Sequence, residues 1–238
     1  MSRQEWPAKS GETGPDFRHV ESWIFDLDNT LYPLDPARLK IAEERICLFV
    51  QQHFGLAREP AWTLQKRYLD QYGSTLAGLV KHDGVDADAY HDFVNDIESF
   101  ALARDAALEA ALAKLPGRRL VFTNNCGRFA RNVLERLGVS ALFEADDIVD
   151  AKAMNFVPKP QAVAYRTLVD RGIDPARAAL FDDSARNLLA AHALGMTTVW
   201  INNGFAHARH GALHDATSTA HIHHEATDLA PFLNTIRI

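Results

Sequence analysis

Five residues in a row, Asp26-Leu27-Asp28-Asn29-Thr30, follow directly on the apolar run Trp23-Ile24-Phe25. Residues two apart in a strand point the same way, and where a strand ends the chain can turn both carboxylates into one crevice. One carboxylate can then attack an electrophile while its neighbour donates or accepts a proton, a division of roles that different surroundings permit. Such a cluster repels itself without a cation. Asp182-Asp183, at the end of the run AALFDD, adds two more carboxylates and creates an oxygen-rich pocket suited to octahedral Mg2+. Lys159, within NFVPKPQ, and Thr123, at the end of RLVFT, supply a positive charge and a hydroxyl donor. Acids, a metal, a lysine and a hydroxyl suit phosphoryl transfer, where positioning and charge neutralisation carry most of the catalysis.

These groups need strands to carry them. WIF at 23–25, RLVF at 119–122, AALF at 178–181 and TTVWI at 197–201 are apolar runs that each break off into polar residues. They read as buried strands. Helix patterns lie between them. Arg128 to Leu137 sets Phe129, Val133, Leu134 and Leu137 on one side ahead of Gly138, and Ala185 to Leu194 closes on Gly195, a residue that favours a left-handed cap. The alternation predicts an α/β fold, a Rossmann-like doubly wound parallel sheet whose ligands bind beyond the carboxyl ends of the strands. Residues 34–110 hold no strand-like run, and Asp35-Pro36 starts a helical pattern through Leu39, Ala42, Ile46, Phe49 and Val50. Trp62, Leu69 and Tyr72, then Tyr90, Phe93, Val94 and Ile97, mark further helices. We therefore expect a helical cap at 34–110 inserted after the first strand, a catalytic core at 18–33 and 111–238, and a Gly-, Pro- and charge-rich disordered tail at 1–17.

The chain's 238 residues, 47% hydrophobic and 24% charged, are enough for one sizeable core carrying an insertion. Its 31 acids against 25 Lys and Arg give a net charge of -6, which offers no broad field for nucleic acid or an anionic membrane. No apolar run is long enough to span a membrane, and MSRQEWPAKSGETGPDF lacks the apolar stretch of a signal peptide, so a soluble, cytoplasmic protein is expected. Cys47 and Cys126 are too few for an all-cysteine zinc site and read as reduced thiols.

The motifs FDLDNTLY, LVFTNN, VPKP and FDDSARN occur in that order and cover the whole predicted core. With them the chain resembles a haloacid dehalogenase superfamily phosphohydrolase. The resemblance implies that Asp26 is the nucleophile forming an aspartyl phosphate, and that Asp28 protonates the leaving oxygen and then activates water. It places Thr123, Asn124 and Lys159 on the phosphoryl oxygens. Mg2+ would be held by the Asp26 carboxylate, the Asp28 backbone carbonyl and the Asp182-Asp183 pair, with Asp183 the more usual direct ligand and Asn187 supporting the shell. An acid at position 28 also argues for phosphoryl substrates over carbon-halogen cleavage. DLDNTLYP with the cap stretch RYLDQYGSTLAGLVKHDGVDADAYHDFV resembles the pyrimidine 5'-nucleotidase branch. That implies a small-molecule phosphate ester, a nucleoside monophosphate, as substrate, with Tyr72, Ser74, Thr75 and His82 as cap residues to face it. Rival readings are a phosphosugar mutase or other small-metabolite phosphatase, and a catalytically silent binder of phosphorylated ligands.

Blander readings compete at other positions. His207, His210, His214, His221, His223 and His224 crowd the C-terminal region, but Gly211 follows His210 where a zinc-protease helix needs its glutamate. AHIHHEATDLAPFL reads instead as a short strand and an Asp-capped helix, with His221 and His223 on one solvated face. Cys126 with Arg128 and Arg131 is off the spacing of a cysteine-dependent phosphatase loop, because position 132 is Asn. Tyr72 and Trp62, at helical spacing, fit core packing better than substrate contact.

Overall fold

A computed structural model describes residues 14–34, 36–95, 102–204 and 219–238. The expected Asp35 helix cap, Ile97, and His207, His210 and His214 lie outside these residues. Among the described residues six parallel strands form one sheet: β1 (Ser22–Phe25), β2 (Arg118–Phe122), β3 (Ile148–Val149), β4 (Ala178–Asp182), β5 (Thr197–Ile201) and β6 (His224–Ala226), in the order β3-β2-β1-β4-β5-β6. Central β1 pairs with β2 on one side and β4 on the other, Ile24 lying opposite both Leu120 and Leu180. The chain thus runs outward from β1 in both directions, and the switch point of this doubly wound α/β sheet falls at the carboxyl ends of β1 and β4.

Alternation along β1 explains the two cores. Trp23 and Phe25 face a cluster built with α5 (Ala106–Ala113), α6 (Gly127–Leu137) and α9 (Leu229–Leu233), whereas Ile24 faces α7 (Ala162–Asp170) and α8 (Ala185–Ala193). Both faces are covered, which is why these strands read as continuous apolar runs. Helix α6 buries Phe129, Val133, Leu134 and Leu137 and ends at Gly138 with φ +78°. Helix α8 stops at Ala193, and Gly195 takes the left-handed conformation at φ +92°.

A third cluster lies among α1 (Pro36–Phe54), α2 (Arg58–Tyr72), α3 (Thr75–Asp83) and α4 (Ala87–Val94). The stretch YGSTLAGL turns a tight corner there. Gly73 ends α2 at φ +77°, the Ser74 hydroxyl accepts from the Ala77 N–H to start α3, and Gly78 lies so close to Tyr68 that a Cβ would meet the ring carbon at 2.4 Å. Among the described residues no helix is long and apolar enough to cross a membrane.

Four details depart from the sequence reading. Phe17, assigned to the tail, is fully buried between Trp23 and Phe181, and its N–H donates to the Arg237 carbonyl at 2.8 Å. Helix α5 straddles the expected boundary at residue 110 and packs Leu108, Ala111 and Leu112 into the sheet core, so the cap cluster ends before it. Strand β3 was not foreseen, because two residues carry no periodicity. His221 is buried rather than solvated: its Nε2 lies 2.7 Å from the Ala185 carbonyl, its own carbonyl accepts from the Thr198 hydroxyl, and β6 begins only at His224.

Candidate active site

The switch point gathers residues from four separate stretches of chain. Asp26 follows β1 directly and extends its ladder, its N–H donating to the Phe181 carbonyl at 2.8 Å. Asp182 ends β4 and is fully buried. The loop after β3 brings in Lys159, 2% exposed, whose Nζ donates to Asp26 Oδ1 at 2.6 Å and to Asp182 Oδ2 at 2.7 Å. Burial alone would lower the Lys159 ammonium, but Asp182 and Asp26 outweigh that and hold it above its ordinary range.

Each acid has its own supports. Asp182 Oδ1 accepts from the Ser184 N–H at 2.9 Å, and the Asn187 amide donates to both carboxylate oxygens at 2.9 and 3.1 Å. Asp183 accepts at 2.7 Å from Asn29, while the Trp200 indole N–H donates to the Asp183 carbonyl at 2.8 Å. Asn29 sits at φ +63°, a conformation that asparagine tolerates better than most residues, and its Oδ1 accepts from the Leu34 N–H at 3.1 Å and Asn203 at 2.7 Å. In this turn the Tyr32 hydroxyl and the Asn125 side chain both donate to Asp28. Burial pushes Asp26 and Asp28 above the usual carboxylate range, and burial with the neighbouring Asp182 pushes Asp183 up to about 7.

Thr123 is fully buried; its Oγ1 accepts from the Asn125 N–H at 3.0 Å, which leaves the hydroxyl proton to donate. Asn124, expected to contact phosphate, spends its side chain on the Lys159 loop. Its Oδ1 accepts from the Lys159 N–H at 2.8 Å and its amide donates to the Lys159 carbonyl at 3.3 Å, so the side chain holds the lysine loop in place.

Asp26, Asp182 and Asp183 offer carboxylate oxygens that all lie within 4.8 Å of one another. This all-oxygen donor set, with more carboxylates than the one ammonium can balance, fits a hard divalent cation such as Mg2+. The oxygens of Asp182 are already taken by Lys159, Asn187 and Ser184, whereas Asp183 has one donor among the described residues, so Asp183 is the better placed of the pair to bind metal directly.

A cavity of about 310 Å3 lies between the cap helices and this site, with Asp28, Asn124 and Asn125 at its core end. Leu34, Leu39, Ile46, Leu69, Leu76 and Val94 make its walls largely apolar. Of the cap candidates, Ser74 and Thr75 line it, although Ser74 also caps α3 and the Thr75 hydroxyl donates to the Gln65 carbonyl at 3.1 Å. Tyr72 and His82 stand off the cavity and pack on each other, ring centroids 4.9 Å apart.

A family profile described as haloacid dehalogenase-like hydrolase matches residues 23–195, from β1 past the end of α8. The chain belongs to the haloacid dehalogenase-like hydrolases. The chain is 25% identical over 193 residues to Phosphate metabolism protein 8 of Saccharomyces cerevisiae, an alignment that covers 73% of this chain and 59% of the yeast protein. The chain thus spans under two thirds of that relative. Among solved structures, a haloacid dehalogenase-type phosphatase from Thermococcus onnurineus superposes with TM-score 0.59 at 16% identity, covering 92% of this chain and all of that one (100%). An L-2-haloacid dehalogenase superposes with TM-score 0.53 at 19% identity, covering 90% and 97%. These likenesses establish the fold.

Sequence reasoning missed Asn29, Tyr32 and Asn125 as partners of the acids. Two lie within the motif FDLDNTLY, and the spacing from Asp28 to Tyr32 was the available signal for one of them. Burial pushes the Cys126 thiol up, opposite to what activation requires, and Arg128 pairs with Asp92.

Proposed function

We propose that this hydrolase is a Mg2+-dependent phosphomonoesterase working through an aspartyl phosphate, with pyrimidine nucleoside 5'-monophosphates as its preferred substrates. The observation that carries the reading is Lys159, which reaches Asp26 and Asp182 together from a third stretch of chain and sets a buried cation beside the Asp26 carboxylate, two residues from the Asp28 that lines the cavity. Asp26, Asp183, Asp182 and the Asp28 carbonyl would hold Mg2+, which when bound offsets the charge of the acids and of the phosphoryl oxygens.

The Asp26 carboxylate oxygen forms a bond to phosphorus as the ester bond breaks, and Asp28 delivers its proton to the departing oxygen, releasing an alcohol. Asp28 then takes a proton from water, the hydroxide oxygen bonds to phosphorus, and the bond to Asp26 breaks to release inorganic phosphate. Lys159 and the Thr123 hydroxyl bind phosphoryl oxygens throughout, while Asn124 keeps Lys159 in register. Burial favours the protonated form of Asp28 that the first step needs, and an ester needs that proton whereas a departing halide does not. The cap, which walls most of the cavity, is the surface available to recognise the organic half of the substrate. Two unbonded thiols, Cys47 and Cys126, suit a reducing cytoplasmic setting.

The test is phosphate release from UMP, CMP, AMP, GMP and a set of sugar phosphates, with Mg2+ and with chelator. Pyrimidine-selective, chelator-sensitive release supports the proposal. Equal or sugar-biased release keeps the chemistry and rejects the nucleotide assignment. No release from any ester rejects the phosphatase reading in favour of a silent binder.

A further inference from the structure

Two buried side chains on the cavity wall keep a polar atom without a partner among the described residues: Gln65, 2% exposed, at Oε1, and His91, 6% exposed, at Nε2. Neither is a motif residue. Leaving such a group unpaired is costly, and the cost is relieved where a ligand supplies the missing bond.

Fixed backbone groups settle what each atom offers. The Glu43 carbonyl can only accept, so the Gln65 Nε2 that lies 3.3 Å from it is the donor and Oε1 is the orphan acceptor. At the other residue, the Cys126 N–H donates to Asn125 Oδ1 at 2.9 Å, which identifies that atom as the oxygen. Asn95 Nδ2, 2.7 Å from the same oxygen, is therefore a donor. It also lies 3.2 Å from His91 Nδ1, so that nitrogen accepts and the ring proton sits on Nε2. Burial lowers His91 to about 4 and keeps the ring neutral near pH 7, with Nε2–H as a donor. The chain His91, Asn95, Asn125 continues to Asp28, so the orphan donor is tied to the proposed proton carrier.

We infer that Gln65 and His91 determine specificity by reading the organic half of the substrate, Gln65 Oε1 accepting from an N–H or O–H and His91 Nε2 donating to an oxygen or ring nitrogen. This rests on the phosphatase reading and deepens it. The ligand class is a small heterocyclic phosphate ester that carries both a donor and an acceptor, since about 310 Å3 of largely apolar space is at the small end for ligand sites. A site built around hydrogen bonds rejects analogues that lack them far more strongly than an apolar pocket discriminates by shape.

The experiment compares kcat/KM for UMP, whose base carries both groups, with that for phenyl phosphate, whose leaving group carries neither, in wild type, Gln65→Met and His91→Leu. The UMP to phenyl phosphate ratio is expected to fall about ten- to a hundredfold in each variant, chiefly through KM for UMP. His91→Gln, which restores a donor near the Nε2 position, recovers most of the ratio. Gln65→Met removes an unpartnered carbonyl together with the long 3.3 Å bond to the Glu43 carbonyl, two changes of opposite sign, and is expected to melt close to wild type. A purely structural Gln65 would instead lower the melting temperature and leave the ratio unmoved, which overturns the inference. Wild-type hydrolysis of phenyl phosphate with no preference for UMP also overturns it while leaving the phosphatase reading intact. Release from neither substrate overturns both.

Discussion

Replacing Lys159 with Met tests the core of the site without changing side-chain length much. The ammonium lies 2.6 Å from Asp26 and 2.7 Å from Asp182, and the three side chains are 1%, 10% and 0% exposed. The substitution removes no hydrogen bond from Asn187 or Ser184 to Asp182, but Asp26 loses the cation that offsets its burial. Breaking a buried ion pair by removing one partner costs about 3–5 kcal/mol, because the other charge is left behind in a poor solvent. At about 2–4 °C per kcal/mol for a chain of this size, the melting temperature should drop by about 6–20 °C. Urea unfolding of wild type, Lys159→Met, Asp26→Asn and the double variant measures both the loss and its origin. Since Asn carries no charge, the double variant should lose less than the sum of the singles by about 1–3 kcal/mol. A loss under about 1 kcal/mol, or strict additivity, would refute the argument that the Lys159–Asp26 contact compensates a buried charge.

Three further outcomes follow from the packing and from one buried ring. His91 is lowered from 6.5 to about 4, chiefly by burial, so the unfolded chain takes up a proton that the folded protein refuses. Its share of stability is whole above about pH 6.5 and falls by about 2–3 kcal/mol as the pH drops to about 4.5; His91→Gln should lack that acid-sensitive share, and equal acid sensitivity in urea titrations would contradict it. Gly78→Ala drives a methyl to within 2.4 Å of the Tyr68 ring root and should cost about 1–3 kcal/mol by thermal melting; an unchanged midpoint would show that α2 and α3 can separate freely. Phe17→Ala should cost about 3–5 kcal/mol, and a neutral result would return Phe17 to the tail.

The α/β sheet was legible because its strands are buried on both faces and end in polar residues, so composition and position carried the same message at 23–25, 119–122, 178–181 and 197–201. The acid pairs were legible for the same reason: each sits where a hydrophobic run stops. Lys159 was not readable from its own surroundings, a loop lysine between two prolines, and gained meaning only through the ordered motifs. Its partner Asp26 is 133 residues away in sequence. Gln65 and His91 are illegible in principle, since each lies on a helix whose pattern says only that the position is buried, and being without a partner is a property of the folded environment. Phe17 failed through its neighbours: a Gly- and Pro-rich window outvoted one aromatic ring that packs across the sheet. His221 failed because period-two alternation was applied to residues that precede β6.

The most direct test of the central claim is inorganic phosphate release from UMP with Mg2+ by the Asp26→Asn variant, run beside wild type on protein whose melting shows it is folded. Asn preserves the shape of the side chain and removes the attacking oxygen, so release should fall at least about a thousandfold. Release within about tenfold of wild type would contradict an aspartyl phosphate at Asp26 and with it the proposed mechanism.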